Sequence, residues 1–419
     1  MPMSLASKLV ARAAGRATVT PGEIVTCQVD LAMFHDSSGP RRLKPMLEQL
    51  GAQLWDKNKV VLVMDHYVPE RSDDARRIVR IAREWAQAQQ LPHVYDSMGI
   101  CHVVVPQHGH IRPGMFCVGG DSHSPTGGAF GAYMFGIGST EMLGVVTTGE
   151  IWVQAPRTIL MRWDRRLARG VTAKDMMLAM IGRFGMNGGG YQAVEFAGEA
   201  VRALPMEERM TLANMSAELG AQVGLVAPDE VTRAWLQAHG APDVEIDPWH
   251  SDPGSADEEH VFDAAALVPQ VAAPFSPANA RDAGQFAGMA IQAAYIGACT
   301  GAKLEDLRFA ADVLRGRRVA AGVRLLVAPA SHADRDAAAA EGTLQALQDA
   351  GAQLLPSACG ICAGYGDSLG ADETVISSSA RNFKGRMGPP STQVYLASPY
   401  TVAASAVTGR ITDPRELLA

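Results

Sequence analysis

The chain has 419 residues, which is more than one ordinary hydrophobic core can organise, so we expect two or three domains. Apolar residues make up 47% and charged residues 19%, a balance typical of soluble globular proteins and not of disordered ones. The formal net charge of −7 argues against nucleic acid or an anionic membrane as the main partner, and no apolar run approaches the roughly 20 residues that span a bilayer.

The first twenty residues have the pattern of a helix that ends before Thr20. They lack the continuous apolar stretch and the cleavage site of a signal peptide, so we expect a cytoplasmic protein. Arg12 and Arg16 leave a mitochondrial presequence open as an alternative. Because nothing indicates export, the six cysteines are expected to be thiols or metal ligands and not a disulfide framework.

Short apolar runs then alternate with helical patterns. Residues 60–64 are predicted to form a buried strand, and Ser72 is predicted to cap the helix that follows. In the last third, residues 323–328 are predicted to form a strand, 334–350 a helix and 352–355 the next strand. Strands that alternate with helices indicate an α/β fold with parallel sheets covered by helices.

Domain boundaries are predicted near residues 170 and 285. They divide the chain into domains 1–170, 171–285 and 286–419. The stretch 242–260 is rich in Pro, Asp, Ser and Gly and is typical of a surface loop or linker.

Polar groups directly follow five of the predicted strands, and ligands of open parallel sheets bind outside the carboxyl ends of strands. We therefore expect one convergent site formed by these groups: Asp65-His66, Asp121-Ser122-His123, Cys299, Cys359 and Arg381.

Cys359 and Cys362 form a CxxC motif, which taken alone fits a redox pair, half of a zinc site or ligands of an iron–sulfur cluster. Cys299 stands alone in a Gly-containing loop before a helix. Three thiolates with no evident fourth ligand describe a [4Fe-4S] cluster with one open iron, and the blander alternatives stay open. The remaining cysteines, at positions 27, 101 and 117, lie in apolar strand contexts and are predicted to be core residues.

Histidines beside carboxylates suggest acid chemistry. Asp65-His66, Asp121 with His123, His35-Asp36 and His102 lie at predicted loops or strand ends. Loss of a hydroxyl from a hydroxy acid needs a proton donor, and a histidine held by an aspartate serves near neutral pH. The glycines of 127–138 lack the GxGxxG spacing of a dinucleotide site.

Ordered motifs along the whole chain resemble the aconitase superfamily, specifically the large subunits of 3-isopropylmalate dehydratase. The matching segments are 30–36 (DLAMFHD), 119–123 (GGDSH), 209–218, 298–300 (ACT), 359–362 (CGIC), 381–388 (RNFKGRMG) and 411–415 (ITDPR). The resemblance implies a three-domain α/β/α arrangement around a central iron–sulfur cluster, without the mobile fourth (swivel) domain.

The resemblance also implies a role for each matching site residue. Cys299, Cys359 and Cys362 would ligate a [4Fe-4S] cluster. Asp65 and His66 would protonate the leaving hydroxyl, and Asp121 with His102 would form a second pair. The remaining roles would be hydrogen bonding of water or hydroxyl by His123 and Asn214, water positioning by Glu218, binding of substrate carboxylate by Arg381 and Arg386, and lining of the pocket by His35 and Asp36.

The family's activity would be reversible dehydration of a 2-hydroxy di- or tricarboxylate, first of all 3-isopropylmalate in leucine biosynthesis. Methylmalate, 2,3-dimethylmalate, homocitrate and citrate are alternatives. The resemblance implies a separate small subunit with the swivel domain, because the family's catalytic serine base lies on that domain and the chain stops at Ala419.

Two departures from the family's pattern leave the substrate open: Gly301 and Ala380 stand where asparagine is usual. Alternatives of other classes are an RNA-binding regulator in the cluster-free form, which the acidic balance disfavours, and a zinc-bound scaffold protein.

Overall fold

A computed structural model describes residues 2–365 and 369–418. Contacts within the chain divide it into two compact units. The first unit comprises residues up to 97, 104–164 and 189–262, and the second comprises 98–103, 165–188 and the residues from 263 onward. Both units are therefore built from segments that are far apart in the sequence.

The described residues form thirteen α-helices. In chain order they are α1 Leu5–Ala13, α2 Pro40–Leu50, α3 Asp73–Gln89, α4 Cys101–Gln107, α5 Ser139–Thr148, α6 Ala173–Phe184, α7 Glu199–Ala203, α8 Met206–Met215, α9 Glu230–Ala238, α10 Leu304–Leu314, α11 His332–Ala340, α12 Thr343–Ala350 and α13 Pro399–Thr408.

The same residues form eighteen strands. They are β1 Ile24–Gln28, β2 Leu31–His35, β3 Val60–Met64, β4 His93–Asp96, β5 Phe116–Gly119, β6 Tyr133–Gly136, β7 Glu150–Gln154, β8 Thr158–Asp164, β9 Ala193–Ala197, β10 Val223–Val226, β11 Glu258–Asp263, β12 Gln270–Ala272, β13 Ala280–Asp282, β14 Ala293–Ile296, β15 Arg324–Val327, β16 Ala352–Leu354, β17 Thr374–Ser377 and β18 Gln393–Ala397.

The first unit contains a five-stranded parallel sheet in the order β4-β3-β2-β5-β6. Strands β2 and β3 are buried at every position, as expected where helices cover both faces of a parallel sheet. The strand order reverses between β2 and β5, and such a switch point opens a crevice at the carboxyl ends of the strands. A four-stranded sheet, β10-β9-β8-β11, and an antiparallel ribbon of β1 and β7 complete the strands of this unit.

The second unit contains a seven-stranded sheet in the order β13-β12-β18-β17-β14-β15-β16. The five strands from β18 to the edge strand β16 are parallel. Their order reverses between β14 and β17, which repeats the topology of the first unit's sheet. The second unit therefore has its own switch point, at the carboxyl ends of β14 and β17.

The predicted α/β class with parallel sheets is confirmed, and the strand predicted at 60–64 and the Ser72 cap occur as expected. Two local predictions were wrong. The helix expected over 334–350 is two helices, because Gly342 adopts a left-handed φ of 81° between them. Cys101 begins α4 and is not in a strand, although it is buried as expected. The three-domain division stays a prediction.

None of the helices in the described part of the chain has both the length and the apolar content that crossing a bilayer requires.

Candidate active site

The carboxyl end of β2 is held by a buried aspartate. β2 ends at His35, and Asp36 follows it with no exposed surface. The Asp36 carboxylate accepts hydrogen bonds from the backbone N–H groups of Ser37 (3.0 Å), His66 (3.1 Å) and Tyr67 (2.8 Å). Because two of these donors lie in the loop after β3, Asp36 fixes the carboxyl ends of β2 and β3 to one another.

His66 is oriented by its neighbour in the sequence. Its Nδ1 atom lies 2.7 Å from Oδ1 of the fully buried Asp65. The His66 ring stacks on the His35 ring, with centroids 3.8 Å apart and planes 14° apart. The Nε2 atoms of both rings face Oδ2 of Asp121, at 3.5 Å from His35 and 3.9 Å from His66. The switch point of the first sheet therefore gathers two imidazoles and a carboxylate.

The tautomer of His35 follows from its backbone contacts. Its Nδ1 atom accepts the Ser37 N–H at 3.1 Å, so the ring carries its proton on Nε2. That Nε2 atom is buried and makes no hydrogen bond within the described residues. His35 therefore presents a donor toward the space beside Asp121.

Charges around His66 decide its protonation state. Burial of the ring lowers its pKa, but the adjacent Asp65, by charge and hydrogen bond, and the charges of Asp121 and Asp36 raise the pKa to about 9. Burial, and then the charge of Asp65, raise the pKa of Asp36, although His66, His35 and the Tyr67 N–H oppose this. His66 is therefore a cationic acid at neutral pH.

A further histidine, His123, lies after β5 and contacts two carboxylates. His123 is held by Asp121, whose Oδ1 accepts the His123 N–H at 2.8 Å, and its Nε2 atom lies 2.9 Å from Oε1 of the buried Glu218. Asn214, near the end of α8, donates to the Thr126 hydroxyl at 2.7 Å, and this hydroxyl donates to the His123 carbonyl at 2.7 Å. The predicted residues Asp121, His123, Asn214 and Glu218 thus form one connected group.

The two histidines and two carboxylates at 35, 36, 65 and 66 lie close enough together to hold a metal ion. Their ligand atoms already bond to the protein, since the Asp36 carboxylate accepts three N–H groups and both Nδ1 atoms are engaged. The arrangement therefore suits proton transfer better than metal binding.

Three cysteines follow strands of the second sheet. Cys299 follows β14 and is buried, as is Cys362, while Cys359 follows β16 and is half-buried. All three act on the buried hydroxyl of Tyr295, whose pKa is raised well above its usual value by burial and by these thiols. The structure thus brings the three predicted cysteines into electrostatic range of one side chain.

Buried cations surround the Cys299 loop. The Lys303 ammonium donates to the Cys299 carbonyl at 3.0 Å and to Oδ2 of Asp306 at 2.7 Å. The Lys174 ammonium donates to the Thr300 hydroxyl at 3.1 Å. Two buried ammonium groups therefore hold the loop that carries Cys299.

The predicted substrate arginines lie in the loop after β17. Arg381 and Arg386 are both half-buried. The Arg386 Nε atom is buried and makes no hydrogen bond within the described residues. Asn382 anchors the loop by donating to the carbonyls of Ala273 and Val394, each at 2.9 Å.

Both departures from the family's pattern are buried. A β-carbon at Gly301 would collide with the side chain of Ser378, so only glycine fits there. Ala380 is 1% exposed. His102 is a buried residue of α4, and its pairing with Asp121 stays a prediction.

The sequence of the chain matches a known protein family along most of its length. The model of the aconitase family (aconitate hydratase) matches residues 8–287 and 280–409. The chain belongs to the aconitase family. The resemblance inferred from the motifs is thereby confirmed.

Relatives within the aconitase family match along the full chain. The 3-isopropylmalate dehydratase large subunit 1 of Methanopyrus kandleri is 42% identical over 422 residues, covering 100% of both chains. The 3-isopropylmalate dehydratase large subunit of Moorella thermoacetica is 39% identical over 422 residues, again covering 100% of both. The probable methanogen homoaconitase large subunit of Methanosarcina mazei is 41% identical over 392 residues, 93% of this chain and 99% of that one.

Two residues of this aconitase-family site escaped the sequence analysis. Thr126 bridges Asn214 and His123, and the pKa of Tyr295 is raised by burial and by the three cysteines. Thr126 lies in the continuation of the family's signature at 119–123, but nothing in the sequence indicates its bond to Asn214. Tyr295 is an ordinary strand residue by its sequence and has no such signal.

Proposed function

We propose that the chain is the large, cluster-carrying subunit of a hydro-lyase that reversibly dehydrates a 2-hydroxy di- or tricarboxylate. The favoured substrate is 3-isopropylmalate, in the interconversion of 2- and 3-isopropylmalate during leucine biosynthesis in the cytoplasm. The observation that carries the proposal is the set of three cysteines that follow strands β14 and β16 of one sheet. The names of the full-length relatives support the substrate.

The donor set fits a [4Fe-4S] cluster. Cys299, Cys359 and Cys362 would supply three thiolates, and two of these cysteines are buried. When bound, the cluster would supply a Lewis-acidic iron that the protein leaves open to the substrate. The other side chains of this subunit would donate the proton, position the water and bind the substrate carboxylate.

His66 donates the proton that the leaving hydroxyl takes up. Asp65 fixes the ring through Nδ1, so Nε2 carries the transferable proton. The raised pKa of about 9 keeps that proton in place at neutral pH. Asp121 faces Nε2 and stabilises the cationic ring. In the hydration direction, His66 takes the proton back.

His123 and Glu218 position the water that leaves or enters. Their hydrogen bond of 2.9 Å couples a donor to a carboxylate, and Asn214 holds the His123 backbone through Thr126. In this proposal Asp121, paired with His102, lies beside the same oxygen. The Nε2–H of His35 adds a donor for a substrate oxygen.

Arg381 and Arg386 bind a substrate carboxylate. A guanidinium matches a carboxylate with two parallel N–H bonds, which favours a diacid or triacid over a monoacid. The buried Nε atom of Arg386 is a donor that such a carboxylate would satisfy.

A small subunit supplies the remaining chemistry. Removal of a proton from carbon needs a base on the opposite side of the substrate, and the proposed partner carries it on a swivel domain. The words "large subunit" in the relatives' names support this partner.

The test is a substrate panel. The chain is reconstituted anaerobically with Fe²⁺ and sulfide, mixed with the small subunit, and assayed for alkene absorbance with 3-isopropylmalate. Methylmalate, 2,3-dimethylmalate, homocitrate and citrate serve as competitors, and a 2-hydroxy monocarboxylate serves as the negative control. We expect the highest kcat/KM with 3-isopropylmalate. Equal turnover of the monocarboxylate, or iron binding that survives Cys359→Ser unchanged, would contradict the proposal.

A further inference from the structure

Lys174 is a buried cation that the proposed mechanism does not use. It is the second residue of α6, after the N-cap Thr172, and it is 1% exposed. Its ammonium donates three hydrogen bonds: to the Thr300 hydroxyl at 3.1 Å, the Ser378 carbonyl at 2.6 Å and the Ser379 carbonyl at 2.7 Å. All three acceptors are neutral and fully buried.

The charge of Lys174 is not neutralised by direct contact. Within the described residues it forms no ion pair, whereas the nearby Lys303 pairs with Asp306 at 2.7 Å. Burial of an ammonium without a partner is costly, and here burial lowers the pKa of Lys174 to about 8, against the raising influence of Asp306. A side chain held in this way is expected to have a use that offsets the cost.

The three acceptors belong to two loops of the proposed site. Thr300 directly follows Cys299, and Ser378 and Ser379 lie just before Arg381. The same loops also bond directly, because the Thr300 hydroxyl donates to the Ser378 carbonyl at 3.1 Å and the Ser378 hydroxyl accepts the Gly297 N–H at 2.9 Å. Lys174 reaches this junction from a separate helix and bonds to both sides of it.

We propose that Lys174 is a positioning residue that joins the cysteine loop 297–301 to the arginine loop 377–381 and supplies a buried positive charge to the anionic cluster. This inference rests on the proposed function for the cluster and the substrate. It predicts that one side chain governs two properties: how firmly the cluster is held, and how well Arg381 is aimed at a carboxylate.

The test replaces Lys174 by Met, which keeps the aliphatic stem and removes the three N–H bonds and the charge. In the cluster-free chain, hydrogen exchange of the amides in 297–301 and 377–381 should become about tenfold faster or more. In the reconstituted protein, iron should be lost to a chelator about tenfold faster. The reduction potential of the cluster should fall, because a positive charge beside it is gone. With the small subunit, KM should rise more than kcat falls.

Asp175→Asn is the matched control. Asp175 is the next residue of the same helix and is equally buried, but it accepts from the backbone N–H groups of Gln270 and Thr172, each at 2.8 Å. Its replacement should lower the unfolding temperature without changing exchange in the two loops, the rate of iron loss or the potential. Lys174→Gln, which removes the charge and keeps a polar end, carries the test if the Met variant does not fold.

Wild-type exchange and chelation rates in Lys174→Met or Lys174→Gln would overturn the inference. So would equal effects of Asp175→Asn on loops, iron loss and potential. The exchange experiment uses cluster-free protein. If the wild type takes up no iron or turns over no hydroxy acid, the proposed function fails, while the exchange result still decides whether Lys174 joins the loops.

Discussion

A buried histidine usually loses its proton, because burial disfavours the charged ring. His66 keeps it because three carboxylates, Asp65, Asp121 and Asp36, outweigh that effect. The charges of these carboxylates replace water as the groups that stabilise the protonated ring. It suits an acid that must be protonated at neutral pH and must work inside a pocket.

Replacement of His66 by Ala should lower kcat by about 10²–10⁴, the usual contribution of a general acid. The visible absorbance of the reconstituted cluster should persist, because His66 is not one of the three proposed cluster ligands. The measurement is turnover per iron with the small subunit present. His250→Ala, at an exposed histidine of the same unit, is the control and should leave turnover unchanged. Normal turnover of the His66 variant would remove this residue from the mechanism.

The pH dependence follows from the raised pKa of His66. The acid form is present below about 9 and is lost as pH rises through that value, so kcat for dehydration should fall on this basic limb. Asp65→Asn removes the largest influence that raises the pKa, so its basic limb should lie at lower pH. Rates measured from pH 6 to 10 test this, and coincident limbs for both proteins would contradict it.

Gly301 shows that the departure from the family's usual asparagine is built into the packing. Gly301→Asn should destabilise the second unit by about 1–3 kcal/mol, because the new side chain collides with Ser378. We expect a lower unfolding temperature and faster iron loss. Gly284→Asn, at a glycine of the same unit with open space around it, is the control. An asparagine variant as stable as the wild type would show that Ser378 yields.

At the scale of elements, α8, the helix that contributes Asn214, has almost no solvent-exposed face. Every residue of this helix except Glu207 is buried. Arg209, with no exposed surface, holds it through two bonds to Asp229, at 2.7 and 2.8 Å. Asp229 is itself the N-cap of α9. The helix that delivers Asn214 is therefore fixed by a charge pair and not by amphipathic packing alone.

Replacement of Arg209 by Met should destabilise the first unit by about 3 kcal/mol or more, because the change leaves carbonyls and a carboxylate without their donors. Urea denaturation of the cluster-free chain measures this. Arg80→Met breaks a pair with Glu84 in which both side chains are mostly exposed, and it should change the midpoint little. Similar midpoints for both variants would mean that Asp229 and the helix relax.

Much of this site could be read from the sequence because strand ends carry their own signals. Buried runs such as 60–64 end at polar residues, and parallel strands bring those ends together. The contacts of Lys174 and Thr126 could not be predicted in this way, since the partners Ser378 and Asn214 are distant in the chain. The sequence alone also does not distinguish a buried lysine from an exposed one. The Gly342 break was missed because helical periodicity continues through it.

At the scale of the whole molecule, the proposed acid, cluster ligands and substrate arginines belong to this chain, and the proposed base belongs to the small subunit. The chain alone, with its cluster reconstituted, should therefore turn over hydroxy acid at background rates. Addition of the small subunit should raise turnover by orders of magnitude, because reacting groups are then held in place and water is excluded. The Arg381→Ala chain with the same partner is the control for substrate capture. Full activity of the isolated chain would sink the two-subunit proposal.

The discontinuous second unit has a consequence for the time at which it can form during synthesis. Lys174 leaves the ribosome 204 residues before its partner Ser378, a delay of roughly 10–40 s at common rates of translation. The strands against which α6 packs, β12 and β13, emerge part-way through that interval, but β18, with which β12 pairs, follows only after Ser378. The whole first unit is available to fold before Ser378 is made. The last of the three proposed cluster ligands is residue 362 of 419, so the complete set of thiols exists only late in synthesis. A nascent chain stalled before residue 359 would contain every residue of the first unit, His35 and His66 included, and would lack two of the three proposed cluster ligands.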